Sequence, residues 1–190
     1  MSRNLAVAVA RAPYVRVRGE FLRHTSPKER TLAGRPSGGR WAPTGAFPVL
    51  YLGRPEPSVV IEAYRHLVDG SEFMTPEMVG PRRLIRANVD VDQIVDLTEP
   101  DAIASLGLDP EQLRTEPGDY AACQELGAAA HQLGRKGVLA PAAEGGGQTL
   151  ALFTNHLAKA DMPTVVSEEI WTTLPTDPRS LRAVSEEDTA

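Results

Sequence analysis

Arg54-Pro55-Glu56-Pro57 constrains this chain more than any other stretch. Two prolines within three positions remove two backbone donors and fix φ twice, so no regular element runs straight through them. Upstream, Phe47 to Leu52 is an apolar, β-rich run bounded by Gly45 and Gly53, which reads as a central strand. Downstream, Ser58 to Asp69 carries Val60, Tyr64 and Leu67 at helical spacing, with Pro57 or Ser58 near the start and Gly70 as the stop. A strand therefore hands over to a helix within a few residues. Glu62 falls in the first or second turn of that helix, beside its apolar stripe, and is expected as a partly buried carboxylate facing whatever the helix packs on. A simpler alternative is an exposed Glu62 pairing with Arg65 or His66 one turn later.

Glycine and proline divide the rest of the chain in the same way. Residues 1 to 13 show no sustained pattern. Tyr14 to Arg23 alternates apolar and charged side chains and predicts one or two short strands, with a turn or bulge at Gly19. His24 to Gly39 contains Pro27, Gly34, Pro36, Gly38 and Gly39 and is expected as a long loop. Arg82 to Val91 and Ile94 to Thr98 read as a strand and its extension, Asp101 to Gly107 as one or two helical turns, and Asp109 to Pro117 as loop. Asp119 is expected to cap a helix ending near Leu133, with Cys123, Leu126, Ala130 and Leu133 on one face. Gly137 to Ala140 and Gln148 to Phe153 predict a hairpin whose glycine-rich tip, Ala142 to Gly147, can approach a ligand. Asn155 to Ala160 reads as a short helix or turn and Thr164 to Val166 as a last strand. The expected fold is α/β (α+β), a single domain over residues 1–174 with a mixed central β-sheet and flanking helices. An acidic, flexible tail is expected at 175–190.

Composition excludes several function classes. With 190 residues, 42% of them hydrophobic and 24% charged, the chain suits one domain with an ordinary core. One cysteine, Cys123, rules out an internal disulfide and a cysteine-rich metal site and fits a cytoplasmic location. No apolar run reaches the roughly 18 to 20 residues of a membrane span. A net charge of -5 gives no reason to expect direct nucleic-acid binding. The charge is unevenly spread, however: residues 1–40 hold nine Lys and Arg against two Glu, a net of +7. Such asymmetry is either a solvated basic face or part of an anion pocket.

Chemistry concentrates in Ser37-Gly38-Gly39-Arg40-Trp41-Ala42-Pro43-Thr44-Gly45. Paired glycines let backbone approach a ligand closely, Arg40 offers a planar charged fork, and Trp41 can anchor the loop in the core while Arg40 points out. Metal spacing is absent among the histidines, so no metal is expected. Gly145-Gly146-Gly147 lacks the lysine of a phosphate loop, and neither Gly-x-Gly-x-x-Gly nor Gly-x-Ser-x-Gly occurs. Arg23, Arg40, Tyr51 and Glu62 remain. Two arginines suit a pyrophosphate, and a carboxylate suits the positive charge that develops on a sugar beside it.

Five segments, in order between Gly19 and Val166, resemble the RES domain, a family named for Arg, Glu and Ser. They are Gly19-Glu-Phe-Leu-Arg-His-Thr, Gly38-Gly-Arg-Trp with Gly45, Val49-Leu-Tyr-Leu with Ile61-Glu-Ala, Cys123-Gln-Glu-Leu-Gly-Ala-Ala-Ala, and Gly137-Val-Leu-Ala-Pro. The resemblance implies a fold similar to ADP-ribosyltransferases and a bacterial toxin held inactive by an Xre-type antitoxin. It also implies action on NAD as substrate, with no permanently bound cofactor: phosphorolysis or hydrolysis of the nicotinamide–ribose bond, or ADP-ribosyl transfer. Arg23 and Arg40 would grip the pyrophosphate or an incoming phosphate, Tyr51 would meet the nicotinamide ribose, and Glu62 would stabilise the oxocarbenium or orient the nucleophile. Subunit number stays open, a homo-oligomer included.

This chain departs from the family where the family has Pro-Ser-Ala-Arg: here the residues are Pro141-Ala142-Ala143-Glu144. Ala142 can neither donate nor accept a hydrogen bond, and Glu144 repels phosphate. Losing one hydrogen bond to a charged group costs about 1.5–3 kcal/mol, which attenuates an enzyme by about one to two decades. Thr149 is one nearby hydroxyl that can substitute. The alternative is a catalytically decayed RES-fold binding protein that retains NAD or an antitoxin.

Overall fold

The computed structural model describes residues 3–114, 119–143 and 146–180. The alternation at Tyr14 continues without a turn into one twelve-residue strand, β1 (Tyr14–Thr25). Gly19 stays in strand pairing opposite Val89 with φ +113, and the register slip lies instead between Val15 and Val17. The two segments read between Arg82 and Thr98 are likewise one strand, β3 (Arg82–Asp96), which tolerates Gln93 at φ 57 near its end. β1 and β3 pair antiparallel along nearly their whole lengths, and this long ribbon carries everything else.

The strand before the double proline is β2 (Val49–Arg54), and the helix after it is α2 (Glu56–Leu67), with Pro55 at its N-cap. The predicted hairpin is β4 (Gly137–Pro141) with β5 (Gln148–Phe153). The sheet runs β1-β2-β5-β4-β3, and because β3 also pairs with β1 it closes into a five-stranded barrel. Only β3 and β4 are parallel among these neighbours, so the expected mixed sheet is present. A sixth strand, β6 (Thr164–Trp171), extends the predicted last strand and adds antiparallel to β3.

Alternation along the strands sorts their side chains into two cores. Phe21, Leu50, Leu52, Ile85, Leu139, Leu150 and Leu152 fill the barrel. Val49, Val138, Ala140, Ala151 and Phe153 point outward and pack under α1 (Arg3–Arg11) and α4 (Ala121–Gln132). α1 lies where the sequence shows no sustained pattern; Leu5, Ala8 and Val9 form its apolar side, too short a stripe to stand out against alternating small residues. α2 covers a third cluster around Leu22, Leu84 and Trp171. A short helix, α3 (Pro100–Ser105), precedes a 3-10 turn at Pro110–Arg114. Asp119 is not the cap of α4: Tyr120 occupies that position and its side chain makes no capping bond.

Within the expected tail, residues 175–180 lie against α2. Tyr64 donates from its hydroxyl to the Pro175 carbonyl at 2.9 Å, and Arg179 pairs with Asp69 at 2.7 Å. Residues 181–190 fall outside the described residues, as does Glu144. Among the described residues no helix is long and apolar enough to cross a membrane.

Candidate active site

The loop from Ser37 to Gly45 is held by two clamps that leave Arg40 little freedom. On one side α4 sits directly on it: Trp41 is fully buried, and a Cβ at Gly127 would stand 1.9 Å from the Trp41 carbonyl oxygen. Only glycine lets the helix come this close. Gln124 Nε2, one turn earlier on α4, donates to the Gly39 carbonyl at 2.9 Å. On the other side, the Tyr51 phenol oxygen on β2 accepts the Trp41 backbone N–H at 3.0 Å. Gly38 and Gly39 take φ +80 and +153, and a Cβ at Gly39 would come within 2.8 Å of the Tyr51 oxygen. Trp41 is the anchor the sequence predicts, but Arg40 does not point out to solvent: it turns inward, half-buried, toward the end of β4.

Arg40 spans a gap between elements. Its Nη1 donates to the Pro141 carbonyl at 3.1 Å, tying the loop to the end of β4 just before Ala142. Its Nε and Nη2 are buried and meet no oxygen or nitrogen acceptor; the guanidinium's other polar neighbour is the Cys123 thiol, a weak acceptor whose pKa it draws down against burial. Unpaired buried N–H groups on a permanent cation cost free energy unless an acceptor arrives, so this guanidinium is preset for an anion.

These elements enclose a cavity of about 270 Å³ on the outer face of the barrel, between α2 and the loop. Every residue singled out from the sequence lines it: Arg23 from β1, Arg40, Tyr51, Glu62 and, on the β4 side, Ala142. Thr149 also lines it, in register with Gly53 on one side and Ala140 on the other. Sequence reasoning did not place Ser58, His24 or Tyr120 here, and it weighed Arg65 and His66 only as partners of Glu62. The signal for α2 was available: Ser58, Glu62 and His66 are spaced four apart and so share one helical face.

Both sequence readings of Glu62 hold together. It pairs with His66 Nε2 at 2.8 Å across one helical turn, and about 41% of its side chain stays open at the cavity. Burial alone would raise its carboxyl, but the hydrogen bond and charge of His66, with Arg65 and His24, bring it below the ordinary value. Glu62 is therefore a carboxylate at neutral pH. His24 is pushed down to about 3, first by burial and then by Arg82 and His66, so its imidazole is neutral and Nδ1 faces Arg82 at 3.5 Å. Burial carries the Tyr51 phenol up to about 12 despite the Trp41 hydrogen bond, which keeps it a neutral hydroxyl. Arg23 donates to the Ala33 carbonyl at 3.3 Å, and burial and Arg35 lower its pKa.

The cavity thus joins fixed guanidinium groups to a carboxylate, a neutral phenol and a neutral imidazole. Such a set suits a ligand with an anionic part near Arg40 and a carbon that becomes electron-poor near Glu62. Among the described residues no group of three or more His, Cys, Asp or Glu side chains comes together to hold a metal.

Comparison with known proteins identifies the family. The RES domain family profile matches residues 13–175. NAD(+) phosphorylase MbcT of Mycobacterium bovis is 31% identical over 134 residues, which is 69% of this chain and 71% of that protein, and MbcT of Mycobacterium tuberculosis matches equally. The structure of the M. tuberculosis MbcT-MbcA toxin-antitoxin complex superposes with a TM-score of 0.79 at 26% identity, covering 96% of this chain and 98% of the matched one. The matched span takes in all four of Arg23, Arg40, Tyr51 and Glu62. This chain belongs to the RES domain family.

Proposed function

We propose that this protein is an NAD-degrading enzyme that splits the nicotinamide–ribose bond by phosphorolysis. The observation that carries the reading is the buried Arg40 Nε and Nη2, which meet no oxygen or nitrogen acceptor, in the same cavity as the Glu62 carboxylate. In the reaction the bond from the ribose anomeric carbon to the nicotinamide nitrogen breaks. Its electron pair leaves with nicotinamide and neutralises the pyridinium charge, so the leaving group needs no proton. A phosphate oxygen forms the new bond to that carbon and gives ADP-ribose 1″-phosphate. Arg40 and Arg23 hold the anionic oxygens, and Glu62 lies where the ribose acquires oxocarbenium character. The Tyr51 phenol, fixed by the Trp41 N–H, offers its hydrogen to the ribose or carboxamide.

The resemblance to MbcT, seen in a toxin-antitoxin complex with MbcA, supports a toxin that a protein antitoxin restrains; we propose that this antitoxin is of the Xre type and that the pair works in a bacterial cytoplasm. A second reading rests on Ala142, which is 95% buried at the cavity wall and provides no hydroxyl, its relative exposure being 5%. It holds that the chain binds NAD without turning it over. Purified protein incubated with NAD and phosphate separates the two: release of nicotinamide supports the enzyme, whereas NAD that raises the melting temperature and stays intact supports the binding protein.

A further inference from the structure

The β4–β5 hairpin has an open place beside Ala142, and a side chain from another element fills it. Ala142 donates its N–H to the Gly147 carbonyl at 2.9 Å, which makes the two residues cross-strand partners on the outer face. Directly opposed residues bring their Cβ positions to about 5 Å. Gly147 has no Cβ, and the space is taken by Ser58 of α2: a Cβ built on Gly147 would lie 2.4 Å from Ser58 Oγ and 2.5 Å from Ser58 Cβ. The Ser58 hydroxyl thus stands next to Ala142, on the cavity wall, although the two residues are far apart in sequence.

Three further observations concern that hydroxyl. Ser58 is only 9% exposed, yet it lines the cavity. Its side chain has no hydrogen-bond partner among the described residues, unlike Arg65 on the same helix. It also lies four residues before Glu62, so both project from one face of α2. The residue is largely buried, but its Oγ is not one of the sealed, unpaired polar atoms, so the hydroxyl opens to the cavity, where a ligand can meet it.

We infer that Ser58 is the ligand-facing hydroxyl of this site, taking from α2 the place that Ala142 leaves without a polar group on β4. This rests on the NAD-phosphorolysis reading and adds a residue to it. Ser58 donates to an oxygen of the phosphate or ribose held between Arg40 and Glu62, and its hydroxyl hydrogen stays on Ser58 throughout. Thr149, the competing hydroxyl, stands between Gly53 and Ala140 and so lies one step further from Ala142 along the hairpin.

The test compares wild type, Ser58→Ala, Thr149→Val and the double variant Ser58→Ala with Ala142→Ser, each assayed for nicotinamide release at varied NAD and phosphate, with the melting temperature measured alongside. Ser58→Ala is expected to lower kcat/KM about 10- to 100-fold with little change in melting temperature. Restoring a hydroxyl from β4 in the double variant should recover at least a third of the lost activity on the same logarithmic scale, a rescue that a purely structural role would not produce. Ser58→Ala with wild-type kcat/KM, or a larger loss in Thr149→Val than in Ser58→Ala, overturns the assignment while leaving the phosphorolysis reading intact. Wild-type protein that releases no nicotinamide overturns that reading, and the assignment with it.

Discussion

Arg40→Ala separates function from folding. The side chain donates from Nη1 to Pro141, lies over the Trp41 ring at 5.2 Å and touches the Cys123 thiol, while Nε and Nη2 are buried without an oxygen or nitrogen acceptor. Removing it forfeits about 1 kcal/mol for the Pro141 bond and relieves two buried donors that each cost about 1–3 kcal/mol. The folded state should therefore lose nothing measurable or gain slightly, and a shift of 1 kcal/mol would move the melting temperature of a chain this size by only about 2–4 °C. The effect on ligand is opposite in sign. Two charged hydrogen bonds at about 1.5–3 kcal/mol each amount to at least about 3 kcal/mol, on the order of a hundredfold or more in kcat/KM. Thermal unfolding and nicotinamide release measured on one preparation give both numbers. Activity within fivefold of wild type would refute the reasoning, and so would a melting temperature lowered by more than about 5 °C, which would make Arg40 a brace between loop and hairpin.

Other perturbations follow from the same contacts. Gly127→Ala should destabilise by at least about 2 kcal/mol, seen as an earlier thermal transition, because the added Cβ meets the Trp41 carbonyl at 1.9 Å and helix and loop must separate; an unchanged transition would show that α4 shifts freely. Tyr51→Phe leaves the Trp41 N–H without its acceptor and should cost about 1–3 kcal/mol in denaturant unfolding and loosen the loop carrying Arg40. His24, held neutral in the fold with its pKa pushed down to about 3, gains a proton on unfolding once the pH drops below about 6.5. Stability at His24 is thus complete above pH 6.5 and declines as pH falls toward 3, by about 2 kcal/mol between pH 7 and 5. Unfolding free energies at those two pH values should differ less in His24→Gln, and an equal slope would show that His24 is solvated. The Glu62 carboxylate, held below its ordinary value, adds stability that is present above the ordinary carboxylate pKa and disappears as pH falls through the lowered one.

Local signals carried the site further than they carried the fold. The double proline, the glycines of the loop and the helical spacing after Ser58 are short-range features, and they sufficed to locate β2, α2, Arg40, Tyr51 and Glu62. Barrel closure depends on pairing Tyr14 with Val95 and Thr25 with Arg83, contacts that no local pattern encodes. α1 went unread because Ala and Val at Ala6 to Ala10 suit strand and helix alike, and its helicity comes from packing on α4. Asp119 looked like a cap by residue type, but chain direction at Tyr120 placed the first turn one residue later. At the site, Ser58 has the look of an ordinary helix-start residue; only its contact with Gly147, 89 positions further along the chain, reveals a second role. His66 was legible as a partner of Glu62 but not as part of the cavity, since a one-turn ion pair is more often only surface chemistry.

The most direct test of the central claim is a product analysis of purified protein with NAD, with and without inorganic phosphate, by mass spectrometry and phosphorus NMR. The account predicts nicotinamide and ADP-ribose 1″-phosphate in equal amounts, at a rate that rises with phosphate and is lost in Glu62→Gln. Intact NAD after prolonged incubation with phosphate, or free ADP-ribose formed at a rate indifferent to phosphate, would contradict it.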